Sequence, residues 1–444
     1  MSEITRRQLA ASAFTIVPRN VLGGAGYAAP SDRLSIAGVG VGGMGANYLS
    51  NMVSEDIVAL CDVDDAVAAR TFAKYPAARR YKDFRVMLEK EKGIDVVVIG
   101  TPDHTHAVVA MAAMRLRKHV YCAKPMTRTI HEARMLAKTA AEMRVATQMS
   151  VQSCASEASC ATAEWVRSGA IGTVREAHVW SDRPIWPQAV ARPGEFYATP
   201  ATLDWDLFLG PAPKRLFHPC YHPFVWRGWY DYGTGALGDM GCHTLHVIFR
   251  ALDLRSPTVV SATSSRQVRT TVQNVKGVPT RRRAPVVYPE TFPDASIVTW
   301  DFPESRVTWY DGGLKPPCPA DLEPGATLPN DGILFIGDKG VLLSGFTGGP
   351  RLLPESKMKS FTPPGKTLTR TTGHYSEFIE ACKGGKPANC EFGFGALITE
   401  TALLGSIAVR TGRRLHWDAA QGRITNDADA NALIAPPYRS GWNL

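Results

Sequence analysis

The sequence predicts an α/β protein in two parts: an N-terminal doubly wound parallel sheet, then an α+β domain on a large, mostly antiparallel open sheet. Three observations carry this expectation. A glycine-rich run, Gly40-Val41-Gly42-Gly43-Met44-Gly45, joins two apolar runs, the second of which ends on Asp62. From residue 31 to about 152, strand-like and helix-like segments alternate. After residue 152, strand-like segments follow one another with few helices between them.

The first apolar run, 34–39, reads as a buried strand and the second, 57–61, as another, with a helix between them. In such a unit the first glycine allows the tight turn, and the second lets backbone approach a pyrophosphate. The third seats the helix on its strand, and the helix N-terminus faces the phosphates. Gly40, Gly42, Gly43, Met44 and Asp62 are therefore candidate nucleotide residues, with Asp62 accepting hydrogen bonds from the adenosine ribose. An acid there repels a 2′-phosphate, which favours NAD while leaving NADP possible. An overlapping match at 38–43 would leave too short a strand before the turn.

Residues 64–74 read as a helix, and 95–99 as a buried parallel strand of β-branched residues. A helix at 104–117, a strand at 119–122, a helix at 130–143 and a strand at 145–148 follow. Thr101-Pro102-Asp103-His104-Thr105-His106 and Ala123-Lys124-Pro125 then fall at strand C-termini, where doubly wound sheets place ligands. A helix at 157–168 leads to a strand at 174–180 and an aromatic, proline-rich region at 181–232. Strands at 258–264, 295–302, 306–310, 333–337 and 340–344 precede helices at 374–382 and 399–409 and a last strand near 415–417. The chain divides into 1–30, 31–152, 153–417 and a polar tail, 418–444, expected to wrap the surface.

Hydrophobic content of 45% with 20% charged residues suits a globular chain able to bury sizeable cores. The net charge of +9 is scattered. Its one dense run, Arg281-Arg282-Arg283, has no interleaved aromatics and reads as a solvated loop, so no nucleic-acid partner is expected. The nine cysteines show no CxxC or zinc-ligand spacing, and His218, His222, His243 and Asp231 lack tight ligand spacing. Neither a disulfide framework nor a metal is expected. Without a run of eighteen apolar residues, no membrane span is expected. Arg6-Arg7 precedes an apolar stretch, 10–17, in the manner of a twin-arginine export signal, which places the protein in the periplasm. If that leader does not function, the protein is cytoplasmic; the segment could instead be an arm on a neighbouring subunit.

The glycine fingerprint, Thr101-Pro102, Lys124-Pro125 and the run Gly235-Ala236-Leu237-Gly238-Asp239-Met240-Gly241-Cys242-His243 together resemble the Gfo/Idh/MocA oxidoreductases. The resemblance covers nearly the whole chain from Ser31 and is nearest to an exported, twin-arginine branch. It implies a Rossmann domain at 31–152 binding NAD(P), an open-sheet second domain, and subunits paired as a homodimer or homotetramer. It further implies that Lys124, Asp239 and His243 oxidise a sugar or cyclitol hydroxyl. His104 and His106 would lie against the nicotinamide with Thr101 and Pro102, or else cap or pack on the following helix. Two positions depart from the family's pattern: Ala123 replaces a usual glutamate before Lys124, and His246 stands where aspartate is common.

The residues support this chemistry independently. Asp239 and His243 are one helical turn apart, so the carboxylate can orient the imidazole or share a substrate hydroxyl with it. Removing a hydroxyl proton as hydride departs calls for a base with a pKa near working pH, which histidine supplies. Lys124, beside a cationic nicotinamide, would have a depressed pKa and could donate to the nascent carbonyl. Arg183, Trp186, His222, Trp226, Arg227 and Tyr232, from the aromatic region before the catalytic helix, are candidate contacts for a small carbohydrate. Two functions follow. One is an NAD(P)-dependent oxidoreductase with tightly bound cofactor, acting on a sugar, glycoside or cyclitol. The other is a redox-neutral glycosidase, lyase or epimerase working through a transient keto-sugar.

Overall fold

The computed structural model describes residues 32–275, 277–345 and 348–444; the twin-arginine segment lies outside them. Six strands, β1 (Ser35–Val39), β2 (Asp56–Cys61), β3 (Arg79–Tyr81), β4 (Val96–Ile99), β5 (His119–Cys122) and β6 (Thr147–Met149), form one parallel sheet in the order β3-β2-β1-β4-β5-β6. Between them run α1 (Gly43–Ser50), α2 (Asp65–Lys74), α3 (Phe84–Lys90), α4 (Asp103–Arg115) and α5 (Ile130–Met143). Helices on both faces bury β4 entirely, as its unbroken β-branched run requires. Asp64 and Asp83 cap α2 and α3, and Thr129 with Glu132 forms a capping box on α5. The order reverses between β1 and β4, which opens a crevice at the strand C-termini. The short polar β3 and the seven-residue α3 carry too little periodicity to be read from sequence.

The second domain supplies α6 (Glu157–Arg167), β7 (Val174–Trp180), α7 (Trp205–Leu209), α8 (Gly235–Leu252) and β8 (Val259–Ser264). Then come β9 (Val268–Val275), β10 (Val278–Pro285), β11 (Ser296–Asp301), β12 (Arg306–Tyr310), β13 (Gly332–Gly337), β14 (Gly340–Ser344) and β15 (Arg351–Leu353). The chain ends with α9 (Glu355–Ser360), α10 (His374–Cys382), α11 (Phe392–Thr411), β16 (Leu415–Asp418), β17 (Arg423–Ile424) and α12 (Ala428–Ala432). Nine strands make one sheet in the order β15-β14-β13-β7-β12-β11-β8-β16-β17. Its neighbours are antiparallel except β7 and β12.

Helices α8 and α11 pack on this sheet. A Cβ on Gly405 would lie 2.6 Å from Leu237 and 2.8 Å from Trp300, so only glycine lets α11 approach both. By length and composition α11 could cross a membrane, yet 72% of its apolar window is buried, as in a core helix. It starts earlier than its periodicity suggests, because Glu391 caps it by accepting from the Gly393 and Phe394 amides. Arg281-Arg282-Arg283 is not a loop. It lies in β10, paired with β9 in a separate, exposed two-stranded ribbon that turns at Gly277, φ +83°. The β-branched Val268, Thr270, Thr271 and Val272 favour the strand that pairs with it, and the arginines face solvent. The tail returns to the first domain, with Tyr438 donating to Glu132 at 2.5 Å.

Candidate active site

A cleft of about 610 Å³ follows the C-terminal ends of β1, β2, β4 and β5 and ends against α8. Gly40 makes the turn at φ +73°, donating to Cys61 O at 2.8 Å; a Cβ there would lie 2.5 Å from Thr101 N. A Cβ on Gly45 would lie 1.8 Å from Gly40 O, so the third glycine is what seats α1 on the turn. Gly38 lies inside β1, which rules out the overlapping register. Gly43 adopts φ +46° with open space around it, and Met44 is half exposed at the rim. The first turn of α1 has neither a side-chain cap nor an acidic residue, which leaves its amides to a pyrophosphate in the cleft. The buried hydroxyl of Thr101, beside Pro102 on the cleft wall, has no protein hydrogen-bond partner. These residues fit a dinucleotide.

Asp62 lines the cleft, but its carboxylate holds the glycine turn, accepting from the Val41 amide at 2.8 Å and the Gly42 amide at 3.3 Å. Burial raises its pKa against these bonds. Asp64, unmarked in the sequence, meets His222 Nε2 at 2.9 Å. Burial opposes its ionisation, but His222 and the Ala66 amide outweigh this and lower its pKa.

His106 joins the two strand-end motifs, with Nδ1 2.9 Å from Pro125 O and Nε2 2.8 Å from Thr101 O, and lines the cleft. His104 does not. It is fully buried with Nε2 2.8 Å from Phe208 O, and burial pushes its pKa down to about 3. The helical phase of α4 turns it away from the cleft towards α7, so it packs rather than faces a nicotinamide.

Lys124 Nζ lies 2.6 Å from Asp239 Oδ1 and 2.5 Å from Asp239 O, joining the end of β5 to α8. Arg227 Nε is 3.6 Å from the same carboxylate oxygen. Burial would raise the pKa of Asp239, but Lys124 and Arg227 hold it below the usual value. Asp239 gives its Oδ1 and carbonyl to Lys124, and its charge also acts on His243, one turn on along the same face of α8. Burial, with Lys124, drives the pKa of His243 well below 6.5, so its imidazole is neutral at pH 7. With Ala123 at the preceding position, the acid paired with Lys124 comes from Asp239 alone among the described residues, and Ser150 Oγ accepts from the Lys124 amide at 3.1 Å. His246 Nε2 lies 2.8 Å from Ser153 Oγ, behind His243.

Among the expected sugar contacts, Arg183, His222, Trp226 and Arg227 line the cleft. Arg227 lies 4.2 Å over the Trp226 ring and 4.5 Å over Phe224, which fixes its head beside Asp239. Trp186 and Tyr232 are corrections. Trp186 is buried behind Arg227 and bonds Gln188, while Tyr232 is wholly buried in the aromatic cluster with Phe208 and Tyr221. A long loop needs its own core, and these two rings serve it. Asp103, Ser150, Phe84 and Trp442 also line the cleft. Asp103 was in view, inside the 101–106 motif; the tail position of Trp442 gave no signal.

Residues 34–151 match the model described as the oxidoreductase family's NAD-binding Rossmann fold, and residues 188–287 match that of its C-terminal α/β domain. The inositol 2-dehydrogenase of Salmonella paratyphi B is 35% identical over 96 residues, 20% of this chain and 28% of its own length. A glycosyl hydrolase family 109 protein of Solibacter usitatus is 33% identical over 123 residues, 25% of this chain and 28% of its own length. The chain therefore spans under a third of the length of these curated relatives. The WlbA dehydrogenase of Bordetella pertussis, in complex with NADH and UDP-GlcNAcA, superposes with a TM-score of 0.58 at 16% identity, over 87% of this chain and 99% of that one. That likeness is one of fold. From the two matched models and the glycine cleft they overlie, the chain belongs to the Gfo/Idh/MocA oxidoreductase family, with an NAD-binding Rossmann domain at its N-terminus.

Proposed function

We propose that this protein oxidises a hydroxyl of a sugar, glycoside or cyclitol. The observation that carries the reading is the Lys124–Asp239 pair, 2.6 Å apart, sharing the cleft with a buried neutral His243. NAD bound on the glycine turn supplies the hydride acceptor. Asp239 holds the Lys124 ammonium in place, and Lys124 donates to the reacting oxygen. His243 accepts the hydroxyl proton. Arg183, Trp226 and Arg227 offer flat apolar faces and fixed donors to a polyol. The match to an inositol 2-dehydrogenase supports a cyclitol or sugar.

Single-turnover reduction of bound NAD, followed at about 340 nm with a panel of sugars and cyclitols, tests this. His243→Ala and Lys124→Ala should each lose about a hundredfold to ten-thousandfold in rate while retaining the nucleotide. Near wild-type rates in both would overturn the assignment. The match to a glycosyl hydrolase family 109 protein favours a second reading, a redox-neutral NAD-dependent glycosidase. Release of reducing sugar from a glycoside without accumulating NADH would select it. The twin-arginine segment supports export, where a retained cofactor regenerated in each cycle suits the absence of a free nicotinamide pool.

A further inference from the structure

The C-terminal tail completes the nucleotide end of the cleft. Trp442 lines it beside Lys82, Asp83 and Phe84. Those residues follow β3, on the opposite side of the glycine turn from Thr101, Pro102 and Lys124. A dinucleotide with its pyrophosphate at the start of α1 and its nicotinamide towards Lys124 has its adenine on this side.

The indole is held in place. The Arg85 guanidinium lies 4.6 Å from its centroid, and the Phe84 ring is 6.2 Å away. Behind it, Arg439 pairs with Asp206, donates from Nε to Gly210 O at 3.0 Å, and donates its amide to Pro211 O at 3.0 Å. Tyr438 ties the same segment to Glu132 of α5. The 202–222 segment is itself fastened to the lip of β2. Asp204 N donates to Val63 O at 2.8 Å, Asp65 N donates to Thr202 O at 3.1 Å, and His222 meets Asp64. Tail and 202–222 segment thus approach the adenosine end together, and Arg439 fastens one to the other.

We propose that Trp442 is the wall against which the adenine lies, and that the tail clasps the nucleotide so that it stays bound through turnover. A flat aromatic face, pinned from behind by a cation, is what a heteroaromatic base stacks on. This rests on the NAD-binding domain and not on the identity of the sugar.

The test is calorimetry of NAD and AMP on full-length, nucleotide-stripped protein, with displacement kinetics for NAD release. Trp442→Ala should weaken both ligands at least about fivefold, the low end for loss of one base stack, and Trp442→Phe should restore most of it. Arg439→Ala should speed NAD release with the adenine wall intact. Affinities within twofold of wild type in Trp442→Ala would overturn the proposal. So would a loss that phenylalanine does not rescue and that accompanies a lower melting temperature of the nucleotide-free protein. Because no sugar is present, a protein that reduces none of the panel yet loses AMP on Trp442→Ala still supports the clasp.

Discussion

His243 illustrates how burial sets chemistry at one residue. Its pKa is pushed well below 6.5 by burial and by Lys124, so it stays a free base into mildly acidic solution. The acid limb of a kcat/KM profile should therefore lie below pH 6.5 and be missing from the residual activity of His243→Ala; a limb above 6.5 would contradict a neutral imidazole. His104 and His374, held at about 3 and about 4 mainly by burial, bear on stability instead. Unfolded, each takes a proton near pH 6.5; folded, each resists until far lower. Their contribution is complete above 6.5 and is lost as pH falls towards the folded values, by about 1.4 kcal/mol per unit for each. Melting temperatures should drop between pH 7 and pH 5, and His104→Gln should flatten that slope; an unchanged slope would refute the assignment. Asp62, bonded to the glycine turn, keeps an acid at the ribose end. Calorimetry on stripped protein should show NAD binding tighter than NADP, and the reverse order would sink the argument.

Among the elements, the glycine turn shows which local signals survive into the fold. Gly40, Gly42 and Gly45 could be read from their spacing, although only Gly45 answers a contact inside its own βαβ unit: a Cβ on Gly40 would meet Thr101 after β4, and one on Gly42 would meet Val67 in α2. Gly45→Ala would drive a Cβ to 1.8 Å from Gly40 O, backbone that cannot give way. Urea unfolding should show a loss of about 3 kcal/mol or more, with NAD binding lost as well; a variant of unchanged stability would mean that α1 does not sit on the turn. Strands β7, β12 and β14 were legible because each is a short segment ending in four consecutive buried residues, a local signal of composition. The ribbon of β9 and β10 was hidden by its charges, and α3 by its brevity.

For the whole molecule, a two-stranded ribbon with Val272 and Val278 both more than 60% exposed is marginal alone in water. Light scattering at micromolar concentration should show a homodimer or homotetramer, and shortening the ribbon should weaken it; a clean monomer would count decisively against this. The two-domain plan, the dinucleotide turn and Lys124, Asp239 and His243 were written in local patterns, because periodicity and motif spacing record contacts between near neighbours in the chain. The partner of Asp239, the turn of His104 away from the cleft, the burial of Trp186 and Tyr232 and the arrival of Trp442 at the cleft were not. Each depends on segments up to hundreds of residues apart being brought together, and nothing in a residue's own neighbourhood encodes which distant surface the folded core will press against it.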